Sequence, residues 1–123
     1  MQLLFYSSKN DKNKKRLESV IQDAVPNKTI ESFTCLDTLR ERIRLIVEPN
    51  SIAVLSASDR DELRRMQILR KLLPEIYVIL VIPDWKKSTI SLAHLLLPRF
   101  LSQKNDSYTN IKRVLKKMVQ TVH

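Results

Sequence analysis

Hydroxyls and carboxylates at the ends of apolar runs are the residues of this chain that could do chemistry. The run Ile52-Ala53-Val54-Leu55 leads into Ser56-Ala57-Ser58, and the run Leu3 to Tyr6 leads into Ser7-Ser8-Lys9. A serine in such a loop is a nucleophile only where an adjacent base takes its proton. His94 and His123 are the histidines that could do so. Neither is expected at the same edge as the serines, because His94 falls on the polar side of a helix with Lys87 and Ser91, so a Ser-His-Asp triad is not expected. Asp59, Asp61 and Asp84 could build a divalent-cation site only by loop rearrangement; they read as solvated or capping residues, with Asp59 capping the third helix. Cys35, the single cysteine, cannot form an internal disulfide and has no metal-spaced neighbours. It reads as a buried, inert thiol.

Composition removes further chemistry. The chain has no glycine, where ordinary usage would supply roughly eight or nine. Glycine-loop phosphate cradles and dinucleotide fingerprints are thereby excluded, because both need backbone that approaches phosphate without a Cβ. No cofactor and no metal are expected. Lys and Arg number 22 against 13 Asp and Glu, a formal charge of +9, which favours anionic partners without choosing among them. The longest apolar stretch, Tyr77 to Pro83, is far short of the roughly 20 residues that span a bilayer. The N-terminus enters a strand-like run in place of a signal peptide, so no export and no membrane association are expected. A lone cysteine is compatible with a reducing cytoplasm, and the expected location is cytoplasmic.

The elements that must position these residues follow from hydrophobic periodicity. With 123 residues, 43% of them hydrophobic, the chain supports one domain, 1–123. Five apolar runs alternate with five amphipathic ones, without a linker or low-complexity segment. The strands are expected at Leu3 to Tyr6, Ile30 to Cys35, Ile52 to Leu55, Tyr77 to Ile82, and Phe100 to Leu101 with its flanks. The continuous, β-branched third and fourth runs suit central strands covered on both faces. The mixed second run and the short fifth suit the edges. Leu17, Val20, Ile21 and Ala24 form one helical stripe and Leu36, Leu39, Ile43 and Ile46 the next; Ile111, Val114, Leu115, Met118 and Val122 form the last, backed by Lys112, Arg113, Lys116 and Lys117. Asp37 and Ser88 are expected N-caps, and Pro26, Pro49, Pro74 and Pro98 fall near helix ends. Five right-handed strand and helix units give a flavodoxin-like α/β fold, a doubly wound five-stranded parallel sheet in the order 2-1-3-4-5 with helices on both faces.

Ligands of such sheets bind beyond the carboxyl ends of the strands. The loops there read Ser7-Ser8-Lys9, Ser56-Ala57-Ser58, Pro83-Asp84 and Gln103-Lys104. In length, in the five-unit pattern and in the run Arg99-Phe100-Leu101-Ser102-Gln103-Lys104, the chain resembles the receiver domain of response regulators. The resemblance spans the whole chain and implies a fold more than an active site. The family's paired acidic magnesium ligands correspond to Ser7 and Ser8, and its phosphate-accepting aspartate to Ser56 or a near neighbour. Its hydroxyl residue falls at Ile82, and its lysine at Gln103, or at Lys104 if the register slips by one. The resemblance therefore implies a degenerate pseudo-receiver, a non-enzymatic regulatory or interaction module of two-component signalling type without phosphoaspartate chemistry. An active phosphoacceptor is the contrary reading.

The fourth helix, STISLAHLLLPRF, lacks a single apolar stripe. Ile90, Ala93 and Leu97 can face the sheet, which turns Leu92, Leu95 and Leu96 away from it. Receiver domains commonly dimerise or dock partners through the fourth helix, fifth strand and fifth helix. By that resemblance Leu92, Leu95 and Leu96, framed by Trp85 and Arg99, form a candidate contact for a protein partner or a second copy. Cover by neighbouring loops is the alternative. The basic runs Lys9 to Arg16, Arg40 to Arg44, Arg60 to Lys71 and Lys112 to Lys117 come without a helix-turn-helix, a zinc finger or a stacking platform. Docking on an acidic protein surface is the first reading of that charge, and a basic nucleic-acid-associated α/β protein is the alternative.

Overall fold

The computed structural model describes residues 2–46, 50–104 and 106–121; Pro49, Val122 and His123 lie outside them. Along the chain run β1 (Leu3–Ser7), α1 (Lys14–Ala24), β2 (Ile30–Phe33), α2 (Leu36–Arg44), β3 (Ile52–Ser56), α3 (Arg60–Arg65) continuing into a 3₁₀ turn (Met66–Leu69), β4 (Tyr77–Ile82), α4 (Lys87–His94), β5 (Phe100–Gln103) and α5 (Thr109–Thr121). All pairings are parallel, in the order β2-β1-β3-β4-β5. This is the expected flavodoxin-like α/β arrangement. Every residue of β1 and β3 is buried, whereas β2 and β5 are only partly covered, as their runs suggested.

Alternation along the strands divides the core in two. Leu4, Tyr6, Ala53, Leu55, Val78 and Leu80 pack beneath α2, α3 and α4. Leu3, Phe5, Ile52, Val54, Ile79 and Val81 pack against Leu17 and Ile21 of α1 and Ile111 and Leu115 of α5. On the first face Tyr6 donates a 2.5 Å hydrogen bond to Glu62 Oε1, and Arg65 closes on Glu62 Oε2 at 2.7 Å. Glu62 is 2% exposed, so α3 is pinned to β1 by a buried carboxylate whose two oxygens are both satisfied.

Several local expectations are corrected. β2 stops at Phe33, so Cys35 becomes the N-cap of α2 and is exposed, not buried. Hydrogen bonds from Thr38 and from the Asp37 N–H lower its thiol pKa. Asp37 lies in the first turn of α2 and not at its cap; α4 starts one residue before Ser88, with Lys86 as its cap. Without glycine, the left-handed backbone positions among the described residues fall to Asn50, Leu97 and Tyr108, with φ of 63°, 53° and 64°. Asn tolerates that region, while a leucine or tyrosine is strained there.

α4 ends at His94, earlier than a helix that would carry Leu97 toward the sheet. The left-handed turn beyond its end swings Leu97 outward and brings Leu96 in: Leu96 is 0% exposed and Leu97 59%. Of the expected contact residues, Leu96 is therefore core, and Leu92 is partly buried against the same cluster.

Candidate functional site

β1 and β3 pair in register, Ser7 opposite Ser56. Both hydroxyls stand on the α1/α5 face, continuing the rows Leu3-Phe5 and Ile52-Val54. They converge on one oxygen: Ser7 Oγ and Ser56 Oγ donate to Asp11 Oδ2 at 2.7 and 2.8 Å. The β1–α1 loop folds back to place that carboxylate, with the Asp11 N–H donating to the Ser8 carbonyl and the Asn13 N–H donating to Asp11 Oδ1 at 2.9 Å. Three donors thus hold the charge at the switch point of the sheet. The side of the site on β5 is tied in by Lys104, whose carbonyl accepts from Asn13 Nδ2 and from the Tyr108 hydroxyl. Arg16 stacks over the Tyr108 ring, its guanidinium carbon 4.6 Å from the ring centroid, and this links α1 to the same corner.

Lys104 sends its side chain across the sheet edge. Gln103 is the last residue of β5, paired with Ile82, and the next ammonium reaches over β4 to the Ser58 carbonyl at 3.3 Å. Ile82 is core and places no hydroxyl there. Ser8 and Ser58 are half-buried at the rim.

The other carboxylates serve their own loops. Asp59 caps α3 by accepting the Glu62 N–H at 2.7 Å, and Asp61 pairs with Arg64 on the surface. Asp84 takes hydrogen bonds from the Thr89 hydroxyl and the Lys86 N–H, which hold its carboxyl below the usual range. Among the described residues no group of three His, Cys, Asp or Glu side chains comes together to hold a metal. His94 lies at the end of α4, on a different rim from the serines.

Asp11 was missed in the sequence. Its carboxylate oxygen touches the Ser56 hydroxyl, a neighbour that only the fold brings there. What this arrangement can do chemically is nonetheless limited. A carboxylate is a weaker base than the imidazole of serine nucleophiles, and Ser7 and Ser56 are 0% and 2% exposed. The geometry is that of a polar lock joining β1, β3 and the α1 loop.

The expected contact surface is split. Trp85, 49% exposed, precedes α4, and Leu95, 39% exposed, follows it, so the helix separates them by roughly 12 Å. Arg99 is exposed and its guanidinium carbon lies 4.2 Å from the Tyr77 ring centroid. Leu95 and Leu97 instead line a cleft with Arg70, Lys71, Pro74 and His94, turned toward the 3₁₀ turn.

Comparison with protein-family models, curated proteins and solved structures finds no match. No helix of the described residues is long and apolar enough to cross a membrane.

Proposed function

We propose that this protein is a pseudo-receiver: a non-enzymatic recognition module that keeps a receiver-like sheet and works without phosphoaspartate chemistry. The observation that carries this reading is the convergence of Ser7 and Ser56 on Asp11. At the edge where a receiver needs an open acidic pocket, the Asp11 carboxylate already accepts three hydrogen bonds from its own chain. Mg²⁺ prefers several hard oxygen ligands in octahedral array; here it would find a single carboxylate that already holds two serine hydroxyls and one N–H. Lys104 faces a carbonyl in place of a phosphoaspartate. Regulation then comes from what docks on the surface, and a reducing, cytoplasmic setting suits the exposed thiol of Cys35.

Incubation with radiolabelled acetyl phosphate and Mg²⁺ is expected to leave the protein unlabelled, with Ser56→Ala indistinguishable from wild type. Stable labelling lost in Asp11→Asn would overturn the reading. The charge supports a second reading, association with nucleic acid. Sedimentation with short duplex DNA separates the two: binding with a steep salt slope, as phosphate contacts require, would favour nucleic acid, and sedimentation independent of DNA is expected.

A further inference from the structure

We infer that the face formed by α2, the 3₁₀ turn and the end of α4 docks an acidic polypeptide segment bearing apolar side chains; this rests on the module reading and gives it a partner chemistry. Two clefts meet there, sharing Arg70 and Lys71. One, of about 470 Å³, runs to Arg40 and Arg44 over Ile68 and Leu72. The other, of about 570 Å³, runs to Leu95 and Leu97. No carboxylate lines either one among the described residues. Arg44 is neutralised by Glu41 at 3.2 Å, whereas Arg40, Arg70 and Lys71 make no ion pair within the described residues. Cations without counter-charges thus rim a floor of exposed or half-exposed aliphatic side chains.

The composition of this face selects its occupant. A second copy is opposed by charge, since like faces would bring Arg40, Arg70 and Lys71 against their equivalents on a chain of net charge +9. Nucleic acid is matched by the cations and at most the His94 ring, because no Phe, Tyr or Trp lines the clefts to stack bases, and it would leave the aliphatic floor unused. A bilayer takes protruding apolar residues, whereas these line recesses. An acidic segment with leucine-like anchors satisfies both halves of the surface at once. Leu97 adds a second sign. It is 59% exposed in a left-handed conformation that glycine would adopt without strain, and strain of this kind concentrates at binding surfaces.

The test is selection of short random peptides from a displayed library on the folded protein, followed by fluorescence anisotropy of the best enriched peptide. The variants are Arg70→Glu, Lys71→Glu and Leu97→Gly. Enriched sequences should combine Asp or Glu with Leu, Ile or Phe, and each variant should weaken binding roughly tenfold or more. Leu97→Gly relieves backbone strain, so its melting midpoint should be unchanged or raised while binding falls, which separates lost contact from lost fold. Failure to enrich any peptide, enrichment without acidic residues, or binding indifferent to all three variants would overturn the proposal. So would short duplex DNA or phosphatidylserine vesicles that bind through these residues in place of the peptide. Enriched peptides that depend on Trp85 or Arg99 instead would overturn this face and leave the module reading standing, whereas phosphoryl labelling would overturn that reading itself.

Discussion

Asp11→Ala is expected to lower folding stability by about 3 kcal/mol, a large share of the roughly 5–15 kcal/mol of an ordinary domain. The substitution leaves Ser7 Oγ and Ser56 Oγ, which both donate to Asp11 Oδ2, buried without an acceptor. It also releases the Asn13 N–H that orders the start of α1. Hydrogen bonds to a charged group each contribute about 1.5–3 kcal/mol, and an orphaned buried donor costs about 1–3 kcal/mol. Water entering the half-buried site keeps the sum below full additivity. Removing one donor is milder, so Ser56→Ala should cost about 1 kcal/mol, because the carboxylate keeps its other partners. The triple variant Ser7→Ala/Ser56→Ala/Asp11→Ala should be less damaged than the sum of its parts, since it leaves no buried hydroxyl without an acceptor and frees only the Asn13 N–H. Urea unfolding monitored by Trp85 fluorescence measures all of these. An Asp11→Ala protein within about 0.5 kcal/mol of wild type would show that the lock contributes nothing.

The second large effect lies on the opposite face of the sheet. Tyr6→Phe is expected to cost about 2 kcal/mol, because it strips one charge-assisted hydrogen bond from a carboxylate that is almost wholly buried. Arg65 remains on the other oxygen but is itself mostly exposed, and it cannot replace the lost donor. Adding Glu62→Leu to Tyr6→Phe should recover part of the loss, since removing both partners is gentler than stranding one. A pH dependence accompanies this contact. Burial first, and then the hydrogen bond to Glu62 and its charge, push the Tyr6 phenol above its ordinary pKa; burial does the same at Tyr108. An unfolded tyrosine ionises near pH 10, while folded Tyr6 keeps its proton beyond that point. The associated stability is complete below about pH 10 and is lost as pH rises through the folded-state pKa. Stability should therefore fall with pH above about 10 in the wild type, and less steeply in Tyr6→Phe. Equal alkaline slopes in the two proteins would count against the coupling.

What could be read from the sequence was what periodicity encodes. The continuous β-branched runs of β3 and β4 can only be covered on both faces, and this, with the right-handed rule applied to the four crossovers, points to the observed strand order. Helix stripes such as Leu39 with Ile43 likewise declare their buried side. Ends were less legible. The stop of α4 depends on Leu97 entering the left-handed region, which nothing about a leucine signals, and one early turn exchanged Leu96 for Leu97 at the surface. The Asp37 and Ser88 caps were misplaced because each helix started earlier than expected.

The polar lock was hidden for a different reason. The serine positions and Lys104 at the sheet edge followed from the strand ends. Asp11 lies four residues beyond β1 and reaches back through space. The nearest signal was local: Asp-Lys-Asn ahead of a helix is a favourable sequence for an Asx turn, which fixes the aspartate side chain close to the strand end. Tyr6 and Glu62 are 56 positions apart, and no spacing rule connects them.

The claim that the carboxyl edge is closed by its own hydrogen bonds is tested most directly by amide NMR of ¹⁵N-labelled protein titrated with Mg²⁺ and beryllofluoride, a mimic of the aspartyl phosphate. The resonances of Ser7, Asp11, Ser56 and Lys104 are expected to stay in place throughout the titration. Saturable shifts at those amides, abolished by Asp11→Asn, would contradict the closed site and identify Asp11 as the centre of a working receiver pocket.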